Sequence, residues 1–178
     1  RVWARRWRAR PLSPGLPDRS GVSAAASRAG IILALEFPGR TGALKLLDRA
    51  PGVRWVKVGP ILMTREGPEF IRELIRRGLR VFLDLKWHDI PNTVGRAVES
   101  ASSLGAEMLT LHLGGGSAMT KSAVQAAPPE LLLLGVTVLT SSDAATLRET
   151  GVQGTVDDQA PTLAHLGVAA GLPGLGPG

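Results

Sequence analysis

Hydrophobic residues in this chain fall into short continuous runs separated by stretches of helical period. From Gly30 onward, Ile31-Ile32-Leu33-Ala34-Leu35 is an apolar run ending in Glu36, followed by the turn Phe37-Pro38-Gly39. Thr41 to Ala50 then sets Ala43, Leu44 and Leu47 on one helical face. Val53 to Val58 predicts a second strand, carrying Lys57 and ended by Gly59. Pro68 to Arg77 predicts the clearest helix, with proline at its first position, Phe70, Ile71, Leu74 and Ile75 as the buried stripe, and Gly78 as its stop. Leu79 to Leu85 reads as the third strand. Asn92 is placed to cap a helix through Leu104, with Val94, Ala97, Val98, Ala101 and Leu104 on one face and Gly105 ending it. Met108 to Leu113 predicts a fourth strand, then a Gly114-Gly115-Gly116 turn and a helix capped by Ser117. Leu131 to Leu139 contains a fifth strand that delivers Thr140 and Ser141. Ser142 is set to cap a short helix stopped by Gly151, and a last helix is expected from about Asp157 to Leu166.

Apolar strands alternating with amphipathic helices imply an α/β fold, with parallel strands and helices outside them. Polar residues end the strands: Glu36, Lys57, Asp84 and Lys86, His112, and Thr140 and Ser141. A doubly wound sheet collects ligands at one switch point. Polar residues at every strand end favour a (β/α)8 TIM barrel, whose active sites assemble at that face. Such a barrel takes about 250 residues, so this chain is expected to hold about five of the eight strands. Residues 30–172 read as that partial barrel and 173–178 as a Gly/Pro tail.

Charge changes the picture only at the amino end. Residues 1–30 hold seven arginines against one acid, Asp18, which accounts for the whole net charge of +6; the rest of the chain carries 14 basic and 14 acidic residues. Nucleic acid is therefore not an expected partner of the globular part. Residues 1–29 are rich in Arg, Pro, Ser and Ala, and Pro11, Pro14 and Pro17 exclude a long helix. They read as a disordered extension, with an organelle transit peptide as the alternative. Apolar content of 44% and a mean hydropathy of +0.11 are those of a soluble globular core. No apolar run approaches the roughly 20 residues that span a bilayer, so no membrane partner is expected. There is no cysteine, and His88, His112 and His165 lack zinc-ligand spacing, so no metal site is expected.

The densest chemistry lies in Asp84-Leu85-Lys86-Trp87-His88-Asp89-Ile90-Pro91-Asn92-Thr93, directly after Val81-Phe82-Leu83. In an extended strand, residues i and i+2 share a face, so Asp84 and Lys86 are expected to project together. A buried strand does not end in alternating charges unless the charges serve each other or a ligand. The plainer reading is a strand-end ion pair, which leaves Lys57 and Asp89 unexplained. His112 reads as structural, and the three glycines as a turn rather than a phosphate cradle.

Together these stretches, with Leu33 to Glu36, Trp55 to Gly59, Leu109 to Gly115 and Gly135 to Ser141, resemble the bacterial type of the orotidine 5'-phosphate decarboxylase family over about residues 30–172. The resemblance implies decarboxylation of orotidine 5'-monophosphate to UMP in pyrimidine biosynthesis, by a cytoplasmic homodimer, with no metal or organic cofactor. It implies that Asp84 lies beside the substrate carboxylate and that Lys86 stabilises the developing charge and protonates the ring. Lys57 would bridge this network to the ribose. Asp89 would be a third catalytic residue and Ile90 and Thr93 would bind substrate, with Asp89 and Thr93 reaching across the dimer interface into the neighbouring subunit's site, and Thr140 and Ser141 would hydrogen-bond the pyrimidine. Glu36 stands where the family has an aspartate contacting a ribose hydroxyl. The family's phosphate-gripping segment is expected beyond the residues present. An inactive fragment or degenerate copy of the same family is the first alternative. A related, magnesium-binding sugar-phosphate decarboxylase or aldolase is the second, and His88 to Thr93 argues against it.

Overall fold

The computed structural model describes residues 30–176, so the reading of residues 1–29 as an extension lies outside them. Among the described residues six strands and six α-helices follow one another, alternating up to β5: β1 (Ile32–Leu35), α1 (Arg40–Asp48), β2 (Trp55–Val58), α2 (Pro60–Arg76), β3 (Arg80–Trp87), α3 (Pro91–Ser103), β4 (Met108–His112), α4 (Gly116–Ala126), β5 (Leu132–Val136), then α5 (Ala144–Glu149) and α6 (Val156–Ala169) in succession, and β6 (Gly174–Gly176). All strand pairs are parallel, and the sheet order is β1-β2-β3-β4-β5-β6. Sequential order has no switch point; it is the winding of a (β/α)8 barrel rather than of a doubly wound sheet.

The strands read as continuous apolar runs because both faces are covered. Val56, Val58, Val81, Leu83, Leu109, Leu111 and Leu133 are buried, and the helices add Phe70, Ile71, Leu74, Val94, Val98, Met119 and Ala123. Of the predicted stripe, Phe70, Ile71 and Leu74 are fully covered and Ile75 is half-buried. No helix among the described residues is long and apolar enough to cross a membrane.

Several details differ from the sequence expectations. The helix expected from Pro68 is the second half of α2, joined to an earlier half that begins at Pro60. Pro68 lacks an N–H and its ring crowds the preceding turn, and Gly67 absorbs the break with φ 66°. Pro91 occupies the first position of α3, so Ile90 flanks the helix and Asn92 does not cap it. Likewise α4 begins at Gly116 ahead of Ser117. Asp143, not Ser142, caps α5, accepting from the Thr146 N–H at 2.8 Å. The sheet has six strands rather than five, because Gly174–Gly176, read as part of a tail, pairs with Leu134 to Val136. A Cβ at Gly174 would lie 2.5 Å from Leu134 Cδ2, so a larger residue there would push the Leu134 side chain aside.

Candidate active site at the carboxyl ends of the strands

Lys57 lies in β2, Asp84 and Lys86 in β3 and Thr110 in β4, three neighbouring strands. Up to Leu83 the β3–β4 register is regular, with Phe82 opposite Met108 and Leu83 opposite Leu109; the next pair is Trp87 with Leu111. Asp84, Leu85 and Lys86 thus stand against Thr110 alone. This is a bulge, and Lys86 passes through it with φ 48°. Asp84 and Lys86 are therefore not i and i+2 of a regular strand, as their spacing predicts. The two side chains meet, but through a left-handed residue rather than a regular pleat.

Asp84 is 8% exposed and is gripped on both oxygens. Its Oδ1 accepts from Lys86 Nζ at 2.9 Å and from the Thr110 hydroxyl at 3.0 Å, and its Oδ2 lies 3.1 Å from Lys57 Nζ. Burial alone would push the Asp84 carboxyl up. The hydrogen bonds and positive charges of Lys86 and Lys57 outweigh that and hold it below the usual carboxylate range. Lys57 Nζ also lies 3.8 Å from Glu36 Oε1 at the end of β1, but the Glu36 side chain is 79% exposed. Such a screened pair contributes about 0–1 kcal/mol. The cluster is therefore anchored on Asp84, with Glu36 as its loose outer member.

Next to it, the His88 and His112 rings stack with centroids 5.5 Å apart and an interplanar angle of 11°. His112 Nδ1 accepts from the Gly114 N–H at 3.0 Å, which leaves Nε2 as the protonated nitrogen of the neutral ring. Burial, then the charges of His88 and Lys86, push the His112 pKa down. Gly114 and Gly115 belong to a 3-10 turn packed on these rings; a Cβ at Gly114 would lie 2.9 Å from His112 Nδ1, and one at Gly115 would run into Met119 Sδ.

The other residues singled out from the sequence do not join the cluster. Asp89 is exposed, its Oδ1 accepting from the Ile90 N–H at 2.6 Å. Ile90 is 65% exposed, and Thr93 lies exposed in the first turn of α3. Thr140 and Ser141 are exposed in a turn beyond the end of β5. Among the described residues, no hydrogen bond or ion pair links these five to Asp84, Lys86 or Lys57, and no group of three or more potential ligands could hold a metal ion. Thr110, by contrast, went unnoticed in the sequence. The signal was a hydroxyl in the middle of Met108-Leu109-Thr110-Leu111, where a buried polar group needs a partner.

Comparison with known proteins places this geometry in context. A family model described as "Orotidine 5'-phosphate decarboxylase / HUMPS family" matches residues 30–178. A protein of Opitutus terrae named orotidine 5'-phosphate decarboxylase is 50% identical over 149 residues, covering 82% of this chain and 65% of the relative. One of the same name from Alkalilimnicola ehrlichii is 46% identical, covering 84% of this chain and 65% of the relative. The chain thus spans 65% of the length of these curated relatives. The crystal structure of orotidine 5'-phosphate decarboxylase from Lactobacillus acidophilus superposes with a TM-score of 0.74 at 35% identity, covering 82% of this chain and 70% of that one. An uncharacterized conserved protein from Geobacillus kaustophilus gives a TM-score of 0.76 at 34% identity, covering 81% and 71% of the two chains.

Proposed function

The chain belongs to the orotidine 5'-phosphate decarboxylase / HUMPS family, and we propose that its Lys57–Asp84–Lys86 cluster is the reacting part of a site that converts orotidine 5'-monophosphate to UMP. In this reading the substrate carboxylate lies beside Asp84. The bond from the ring carbon to that carboxylate breaks, carbon dioxide leaves, and the electron pair stays on the ring carbon. The Lys86 ammonium group then delivers a proton to that carbon. Atoms and charge balance without a metal ion, an oxidant or an organic cofactor.

The observation that carries the reading is one buried carboxylate gripped on separate oxygens by two ammonium groups at the carboxyl ends of adjacent strands. Buried ion pairs built for stability alone gain little, since desolvation offsets their attraction. A cation fixed before charge develops on the substrate has no reorganisation cost left at the moment of reaction. Asp84 adds like-charge stress on the substrate carboxylate, a ground-state contribution. Lys57 connects Asp84 to the ribose, where Glu36 is the candidate hydroxyl contact. Thr140 and Ser141 are assigned to the pyrimidine, and Asp89, Ile90 and Thr93 to the shared site of a cytoplasmic homodimer. All five are exposed, and among the described residues the hydroxyls of Thr93, Thr140 and Ser141 make no hydrogen bond, which leaves them available to ligand or partner.

The test is a chimera in which residues 30–178 replace the matching segment of the Opitutus terrae relative, which supplies the rest of that protein's length. UMP formation from orotidine 5'-monophosphate is the expected result. A folded chimera with no turnover, beside an active parent, would overturn the proposal.

A further inference from the structure

We propose that Thr110 is the positioning residue of the charged cluster, its hydroxyl pinning both ends of the β3 bulge to β4 and holding Lys86 in the left-handed backbone that turns its ammonium group onto Asp84. The inference rests on the reading of Asp84 and Lys86 as the reacting pair. It starts from register. Between the pairs Leu83–Leu109 and Trp87–Leu111, three residues of β3 face one residue of β4, and that residue is Thr110. A bulge leaves backbone groups without ladder partners, and an unpaired buried N–H costs about 1–3 kcal/mol. A non-glycine residue in the left-handed region costs about 1–2 kcal/mol more, so the conformation of Lys86 persists only where its surroundings over-determine it.

Thr110 supplies that determination through one oxygen. Its Oγ1 accepts the Lys86 backbone N–H at 2.9 Å, and its own O–H donates to Asp84 Oδ1 at 3.0 Å. The direction of each bond is fixed by chemistry. A backbone N–H only donates, so the hydroxyl proton is free for the carboxylate, which only accepts. Thr110 is 5% exposed, and branching at Cβ restricts its χ1, so the hydroxyl is aimed at little entropic cost. The same oxygen thereby fixes the Lys86 backbone and the Asp84 carboxylate on which the Lys86 side chain rests. Valine keeps the shape and removes both bonds; serine keeps both bonds and removes the methyl group.

The test compares T110V and T110S with the unaltered 178-residue chain by NMR, reading amide hydrogen exchange and the Lys86 Cα shift, which reports its φ. In T110V the Lys86 amide should lose about tenfold or more in protection, the order expected for loss of a buried hydrogen bond. Its Cα shift should leave the left-handed range, while the flanking amides of Leu83 and Leu111 stay within a few-fold. T110S should keep Lys86 protected and left-handed. Unchanged protection at Lys86 in T110V would overturn the proposal. So would an equal loss in T110S, because packing of the methyl group would then hold the bulge. Should T110V not fold, T110S decides alone: retained protection supports the hydroxyl, and lost protection overturns it. No readout involves substrate, so failure here leaves the proposed activity standing, and an inactive chimera leaves the role of Thr110 standing.

Discussion

Asp84 is 8% exposed and accepts from Lys86 and Thr110 while facing Lys57, whereas Thr140 and Ser141 lie exposed in a turn beyond the last residue of β5. The first group lies within β3 and the second follows β5 of the same sheet. The first finds its partners in β3 itself and on the neighbouring strands β2 and β4, so it is assembled before any ligand arrives. The second, like Asp89, Ile90 and Thr93, is oriented by its local turn alone. On the proposed function, the contrast separates two tasks. Residues that meet developing charge have to be held in advance, because reorganisation during the reaction would consume the stabilisation they provide. Residues that recognise a ligand can be ordered by binding it.

The largest expected effect falls on the first group. In the chimera, Lys86→Ala should lower kcat by about 10³-fold or more, in line with removal of a preorganised electrostatic group. Circular dichroism should stay unchanged. A rise in KM with kcat intact would reassign Lys86 to ground-state binding.

Next in size is complementation between inactive chains. If Asp89 serves the neighbouring subunit's site, a mixed dimer of Lys86→Ala and Asp89→Ala chimeras carries both defects in one site and neither in the other. Random pairing in a two-fold dimer should restore about a quarter of the parental activity. No recovery in verified mixed dimers would remove Asp89 from the shared site.

Stability should divide along the same line. Asp84→Ala leaves Lys57 and Lys86 facing each other without a carboxylate, although both are partly exposed and can turn to water. The expected loss is about 2 kcal/mol by urea denaturation. Thr93→Ala, Thr140→Ala and Ser141→Ala remove exposed groups and should each stay within about 0.5 kcal/mol. Equal losses in both sets would erase the distinction between held and waiting residues.

That division also marks what the sequence could reveal. Strand order and helix faces were legible, because apolar runs and the 3.6-residue period of Phe70, Ile71 and Leu74 are local patterns. The pairing of Asp84 with Lys86 was legible as spacing, but the bulge behind it was not, because register belongs to two strands at once. Thr110 escaped for the same reason: its importance lies in what stands opposite it. Strand β6 is Gly-Leu-Gly, which has no intrinsic strand preference and forms by pairing with β5. The caps failed at Asn92, Ser117 and Ser142, where a neighbouring proline, glycine or aspartate sets the helix start.

The smallest predicted effect is a titration near neutrality. Burial and the charges of His88 and Lys86 depress the His112 pKa, so the unfolded chain takes up that proton at higher pH than the folded one. Its contribution is present above the unfolded value of about 6.5 and is lost as pH falls through the folded value. His112→Gln should flatten the pH dependence of the urea midpoint just below pH 6.5. An unchanged slope there would show that burial does not hold His112 against protonation.

The most direct test of the central claim, that the charged cluster is assembled by this chain before any ligand binds, is the carboxyl titration of Asp84 followed by ¹³C NMR in the unliganded protein. Lys86 and Lys57 overcome the effect of burial, so Asp84 should titrate below the unfolded value of about 3.9. Its stabilising contribution should then be complete above that value and vanish as pH falls through the folded one. An Asp84 that titrates at or above 3.9 would mean that the two ammonium groups do not hold it, and would contradict the account.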